Sequence, residues 1–147
     1  MRSIVQRVSR AEVRIGGTPV GRIARGFVVL LGIAKGDSTA DVEFLEDRIA
    51  GLRVFADEAG KMNLALGAVG GELLVVSQFT LHADTRQRRP SFINAAPPEV
   101  ARELYECFLS LARRRGVKVE TGIFGANMEL ELINDGPVTI ILDSRDR

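Results

Sequence analysis

The sequence predicts an α/β domain of the α+β type: a mixed, largely antiparallel sheet or partial barrel with two main helices packed on it. Three observations carry this. Short apolar runs separated by glycine breaks fill the first third of the chain, as in strands joined by tight turns. Two later stretches, starting near Asp37 and near Pro97, recur at helical spacing. The resulting order of strands, helix, strand, helix, strands lacks the regular βα alternation of a doubly wound parallel sheet. With 147 residues, 46% of them hydrophobic, the chain is expected to form one domain over residues 1–147 that needs no disulfide or metal staple.

Ile4, Val8, Val13 and Ile15 fall in one or two strands, Gly16-Gly17 turns the chain, and Val20 to Ile23 returns it. Phe27-Val28-Val29-Leu30-Leu31-Gly32-Ile33 is an unbroken apolar run, the mark of a strand buried on both faces. Asp37-Ser38-Thr39 offers capping oxygens to a first helix, and Asp41 adds a first-turn acid. Val42, Leu45, Ile49 and Leu52 form its stripe, with Glu43, Glu46, Asp47 and Arg48 opposite in solvent. Arg53 to Gly71 reads as connection around a short strand at Val54-Phe55. Leu73 to Leu81 is the strongest strand, buried at its start and increasingly polar toward its end. His82 to Pro98 is irregular. Pro97 or Pro98 then opens a second helix with Val100, Leu104, Cys107, Phe108 and Leu111 as its stripe. Arg113-Arg114-Arg115 suits its carbonyl end and Gly116 stops it. Val117 to Thr121 is a strand. Met128, Leu130 and Leu132 alternate with Glu129 and Glu131 in a strand with one wet face, and Val138 to Leu142 is the last strand. The tail, Asp143 to Arg147, is expected to fray.

Composition removes several function classes. Twenty basic residues against 19 acidic ones exclude a polyanion binder that works by bulk charge, so any nucleic-acid contact rests on a local patch. Arg86-Gln87-Arg88-Arg89 is the first candidate and Arg113 to Arg115 the second. A lone cysteine, Cys107, forms no internal disulfide, and a lone histidine, His82, gives no Cys/His zinc site. With no tryptophan and Tyr105 as the one tyrosine, base-stacking platforms are scarce. The charged start of the chain is not a signal core, and no run has the length of a membrane span. The expectation is a cytoplasmic protein with no membrane partner, no metal and no cofactor.

The same inventory narrows the chemistry. A Ser-His-Asp triad would have to use His82, and on a strand its neighbour Ser77 falls on the opposite face, whereas Gln78 and Thr80 share the face of His82. Cys107 lies on an apolar stripe and reads as packing. No glycine pattern forms a phosphate loop. Glu129 and Glu131 read as a solvated face. Two stretches remain. Ser77-Gln78-Phe79-Thr80-Leu81 places hydroxyls and an amide where an apolar strand leaves the core, either as an ordinary half-buried strand or as a site. Asn134-Asp135-Gly136-Pro137-Val138-Thr139 interrupts a strand signal with proline, as a hairpin turn or as a cis Gly-Pro peptide that aims two carbonyls.

These stretches, with Ala83-Asp84-Thr85, Arg89-Pro90-Ser91-Phe92, Thr121-Gly122, Gln6-Arg7-Val8 and Gly60-Lys61-Met62-Asn63, resemble the D-aminoacyl-tRNA deacylase family over essentially the whole chain. The resemblance implies a homodimeric esterase that frees a D-amino acid from the terminal adenosine of tRNA. Such chemistry can dispense with a strong protein base, because an aminoacyl ester is already activated. The resemblance implies catalytic roles for Ser77, Gln78, Phe79 and Thr80, with main-chain amides of Phe79 and Thr80 facing the scissile carbonyl and the adenosine 2′-hydroxyl helping to activate water. Thr80 as nucleophile ranks lower, since no residue is placed to take its proton. It further implies that Gly136-Pro137 of one subunit enters the other subunit's site and excludes L side chains while admitting glycine. Arg7 is then the residue that holds the Gly-Pro carbonyls, and Met128 helps enclose the adenine. His82 stands where a small residue is usual and Asn127 where an acid is common, two changes expected at the rim of the site. The alternatives are a non-catalytic tRNA- or duplex-binding module on the same fold, and a deacylase directed at an L-amino acid.

Overall fold

The computed structural model describes residues 1–147. Its elements run β1 (Arg2–Ile15), β2 (Thr18–Ile23), β3 (Gly26–Gly32), α1 (Thr39–Gly51), β4 (Phe55–Ala56), β5 (Met62–Leu64), β6 (Glu72–Ser77), α2 (Pro98–Arg114), β7 (Val119–Thr121) and β8 (Glu129–Asp143), with 3-10 turns at Leu66–Val69 and Phe79–His82. The long strand β1 is the axis of the sheet. Along one edge it pairs antiparallel with β3 over Arg2 to Val8 and with β2 over Ala11 to Ile15; β8 lies antiparallel along the other edge from Arg2 to Arg14. β3, β6 and β7 continue the sheet in parallel. β2 and β7 come together at Gly21, where a Cβ would stand 2.5 Å from the Thr121 carbonyl oxygen, so the sheet nearly closes. This is the mixed, partly closed sheet expected, with both helices on it.

Alternation along β3 and β6 divides the interior in two. Phe27, Val29, Leu31, Leu73 and Val75 face the helices and join Val42, Leu45 and Ile49 of α1 and Tyr105, Phe108 and Leu109 of α2 in the larger core. Val28, Leu74 and Val76 point into the curl of the sheet with Val8, Val13 and Ile23. A strand buried on both faces follows from the unbroken apolar run, as the sequence predicts.

Several local expectations are corrected by packing. The stripe of α2 is rotated: Ala101, Tyr105, Phe108, Leu109 and Ala112 are its buried residues, Leu104, Cys107 and Leu111 flank them half-buried, and Val100 is exposed. Glu46 is buried rather than solvated because Arg115, from the end of α2, reaches it with Nε at 2.8 Å. The connection after α1 holds a small antiparallel pair, β4 with β5. The tail is tied down, not frayed. Arg2 and Arg145 bind Asp143, Ser144 is buried with its Oγ 2.8 Å from the Met1 ammonium, and that ammonium also pairs with Asp37 at 2.7 Å.

Asp41 links the tail to the start of α1. Burial opposes its ionisation, but the Ser144 hydroxyl, the Ser38 N–H and hydroxyl (2.8 and 2.9 Å) and the Arg147 guanidinium outweigh it and hold the carboxyl at about 2, below the usual 3.8. A depressed carboxyl stabilises the fold fully above its unfolded value and loses that contribution as pH falls through the folded value, here between about pH 4 and about pH 2. Asp41→Asn is therefore expected to cost about 1–2 kcal/mol at neutral pH and to flatten the acid limb of stability. Denaturant titrations at neutral and acid pH check both effects.

Candidate active site

The site begins where β6 ends. Gln78 N–H still docks on β3 through the Leu31 carbonyl at 2.8 Å, but Gln78 then departs from the extended conformation (φ −140°, ψ 76°) and Phe79–His82 coils into a 3-10 turn. Gly32 makes room for it: a Cβ there would lie 2.8 Å from the Gln78 carbonyl oxygen and 2.9 Å from Leu81 Cβ. The expectation of a strand through Leu81 is thus corrected, and Gln78, Thr80 and His82 do not share a strand face. Gln78 Nε2 instead donates to Thr80 Oγ1 at 2.5 Å. The turn's own bonds start with Leu81 N–H to the Gln78 carbonyl, so they leave the N–H groups of Phe79 and Thr80 without an acceptor in the turn. Phe79 is 53% exposed and sets its ring edgewise to Phe92 at 5.0 Å. His82 folds inward, 8% exposed, beside Gly32 with Nε2 unpartnered. It is therefore beneath the site rather than at its rim.

A cleft of about 610 Å³ opens beside this turn. Val76, Ser77, Gln78 and Phe79 form one wall, Phe92, Ala95 and Ala96 with Pro98 and Ala101 of α2 another, and the segment Phe124 to Met128 with Leu130 the third. None of its 16 lining residues carries an ionisable side chain. Asn127 lines the cleft. Met128 reaches it because Gly122 has no Cβ, which would overlap the Met128 sulfur. Behind the wall the buried Tyr105 hydroxyl donates to the Val75 carbonyl at 2.8 Å; burial pushes this phenol well above its ordinary range. Phe124 and Ala126 line the cleft without any motif that announces them. Gly32 is announced only faintly, as a glycine inside an apolar run.

The second predicted stretch lies elsewhere. Asn134 to Val138 is no hairpin turn, for β8 continues through it, and the Gly136-Pro137 peptide is cis. The register passes from Gln6 opposite Thr139 to Val8 opposite Asn134, which leaves Asp135 to Val138 bulged against Arg7. Arg7 is 12% exposed. Its Nε donates to the Asp135 carbonyl at 3.0 Å, its Nη1 to the Val54 carbonyl, and its guanidinium stands 3.3 Å from the Asp135 carboxylate. The carbonyl it holds is the one preceding Gly136. A Cβ on Gly136, whose φ is +130°, would stand 3.1 Å from Arg7 Nη2. The fold thus brings Ser77, Gln78, Phe79 and Met128 to one cleft, whereas Thr80, next in the turn, is not among its lining residues, and it groups Arg7 with Gly136 and Pro137, none of which lines that cleft.

Fold and cleft define a small α/β domain with one uncharged, largely apolar cleft beside a 3-10 turn whose first two N–H groups have no acceptor within it. Comparison with known proteins narrows this class. The chain belongs to the D-Tyr-tRNA(Tyr) deacylase family, whose model matches residues 4–143. It is 58% identical to the D-aminoacyl-tRNA deacylase of Anaeromyxobacter dehalogenans (strain 2CP-C), covering 99% of this chain and 98% of that protein. It is 60% identical to the protein of the same name from Dehalococcoides mccartyi (strain ATCC BAA-2266 / KCTC 15142 / 195), covering 100% and 97%. Among solved structures, that of a c-Myc DNA Unwinding Element Binding Protein matches with a TM-score of 0.93 at 42% identity, over 97% of this chain and 98% of that one. A probable eukaryotic D-amino acid tRNA deacylase shares the fold with a TM-score of 0.79 at 18% identity, over 96% and 97%.

Proposed function

We propose that this protein hydrolyses the ester of D-aminoacyl-tRNA, releasing the D-amino acid and tRNA, and so proofreads chirality in translation. The observation that supports this reading is a cleft without ionisable side chains beside a turn whose Phe79 and Thr80 N–H groups have no acceptor within the turn. An aminoacyl ester needs polarisation of its carbonyl more than a strong base, and in this reading the Phe79 and Thr80 N–H groups supply that as negative charge develops on the oxygen. Water adds to the carbonyl carbon, the bond to the adenosine oxygen breaks, and the adenosine 2′-hydroxyl assists the attack. Ser77 and Gln78 shape the turn and Met128 encloses the adenine.

Selectivity comes from a second copy. Gly136 and Pro137 lie off their own chain's cleft, so their role in a site requires a homodimer in which each copy lends its Gly-Pro carbonyls to the other. Those carbonyls leave no room for an L side chain and admit glycine, so glycyl-tRNA is also a substrate. The enzyme acts in the cytoplasm without metal or cofactor; no helix is long and apolar enough to cross a membrane.

Purified protein given matched D- and L-aminoacyl-tRNA in the presence of EDTA should consume only the D ester, and it should elute as a dimer. Equal rates on both esters, inhibition by EDTA or a strict monomer would overturn the corresponding part of the reading. Thr80→Ala should slow turnover by no more than roughly tenfold, the worth of one hydrogen bond. Loss of a true nucleophile would cost at least ~10⁴-fold. The likeness to the c-Myc DNA Unwinding Element Binding Protein, 42% identical, favours a second reading, a duplex-binding module on this fold. Duplex DNA binding with no ester hydrolysis in the same assay would select it.

A further inference from the structure

Between the site turn and α2 the chain carries three arginines in four residues, Arg86-Gln87-Arg88-Arg89, although its net charge is only +1. All three are exposed. The loop that holds them is fastened at its ends by paired main-chain bonds, Asp84 N–H to the Ser91 carbonyl at 2.7 Å and Ser91 N–H to the Asp84 carbonyl at 3.0 Å. Arg86 is folded back on Asp84, its Nε 3.0 and 2.9 Å from the two carboxylate oxygens. That contact neutralises the one acid of the loop and leaves Arg88 and Arg89 without an ion-pair partner. Elsewhere Arg10 and Arg14 pair with Glu131, Arg22 with Glu12, Arg115 with Glu46 and Asp47, and Lys118 with Glu72. Cations such as Arg113 and Arg114 are also unpaired, so what sets Arg88 and Arg89 apart is their place on the loop that leads into Phe92.

The loop is coupled to the cleft by Phe92, which follows Ser91, lines the cleft and meets Phe79 edge-on. On the far side, Arg102 of α2 stands 4.8 Å over the ring of Phe124, another lining residue. An uncharged interior with guanidinium groups outside it suits a ligand whose reacting end is neutral and whose remainder is a polyanion.

We propose that Arg88 and Arg89 bind phosphodiester groups of the tRNA acceptor end as it leaves the cleft, positioning the ester without touching it. This rests on the deacylase reading above, and the test separates the two. The variant R88Q/R89Q is compared with the wild type on D-aminoacyl-tRNA and on D-aminoacyl-adenosine, which has no phosphodiester, across a salt series. The expected result is a KM for tRNA raised roughly tenfold or more, and a plot of log(kcat/KM) against log salt flatter by about 1.4–1.8 for two lost contacts, with kcat little changed. Hydrolysis of the adenosine ester is expected to match the wild type, and R88K/R89K to keep most of the salt slope. An unchanged KM and slope would overturn the proposal, as would an equal loss on both substrates, which would mean that the loop merely supports the cleft. A wild type inactive on both esters would instead remove the deacylase reading itself, and this proposal with it.

Discussion

Arg7→Ala is expected to lower D-aminoacyl-tRNA hydrolysis at least about tenfold and to reduce stability by roughly 2–4 kcal/mol. Burial sets the scale of both losses. A guanidinium only 12% exposed spans two backbone carbonyls, those of Val54 and Asp135, and the Asp135 carboxylate, so it joins the connection after α1 to the bulge in β8. Alanine leaves both carbonyls without their donor, each worth about 1–3 kcal/mol where water does not reach. It also frees the segment that carries Gly136 and Pro137, which in the proposed reading enters the partner copy's site, and a reacting geometry displaced by an ångström loses about a hundredfold in rate. Arg7→Lys separates the two effects. An ammonium keeps the charge but cannot hold two carbonyls in one plane, so stability should recover more than the rate. Single-turnover rates on D and L esters, read beside thermal melts, check this. A variant with wild-type rates would show that Arg7 is structural only.

The second large effect concerns the sheet. Gly26→Ala should destabilise the protein by on the order of 3–5 kcal/mol, a fall in melting temperature of about 10–15 °C. A Cβ at Gly26 would overlap the Glu72 carbonyl oxygen and lie 2.6 Å from Glu72 N and 2.7 Å from Glu72 C. These are backbone atoms of the paired strand, with no rotamer by which to yield. β3 and β6 would have to part at their first rung, where Glu72 also accepts from Ala24 N–H at 3.0 Å and from Lys118 at 3.1 Å. Gly51→Ala is the matched control: a Cβ there meets nothing within 4 Å, and the change should leave the melt unaltered or raise it slightly. Equal melts for the two variants would refute the close approach.

What was legible in the sequence was what neighbours along the chain decide. The apolar run of β3, the Ser38-Asp41 start of α1 and the wet face of Glu129 and Glu131 are set by residues within a few positions, and each stands where the periodicity places it. The misses all depend on distant partners. Leu73 to Leu81 reads as one strand until Gly32, on another strand, lets Gln78 turn away. Asn134 to Pro137 reads as a break until β1 is seen to run beside it on both flanks. Glu46 reads as solvent-facing until Arg115 reaches it from the end of α2. Of the site, the turn residues were visible as motif and Met128 only through the family resemblance, whereas Phe124 and Ala126 become part of it only when the loop after β7 folds over the cleft. The separation of Arg7, Gly136 and Pro137 from that cleft is likewise a property of three dimensions.

The cleft's lack of ionisable lining has a consequence for how the protein meets changing conditions. A site built on titrating groups works within a window set by their protonation, with activity falling off on either side. Here the walls bear the same charge in acid, neutral and alkaline medium for as long as the fold stands. Any rise of rate with pH then belongs to the ester and the attacking water. In the proposed reading the choice between mirror-image substrates is a matter of shape, and it is expected to stay constant while the rate varies.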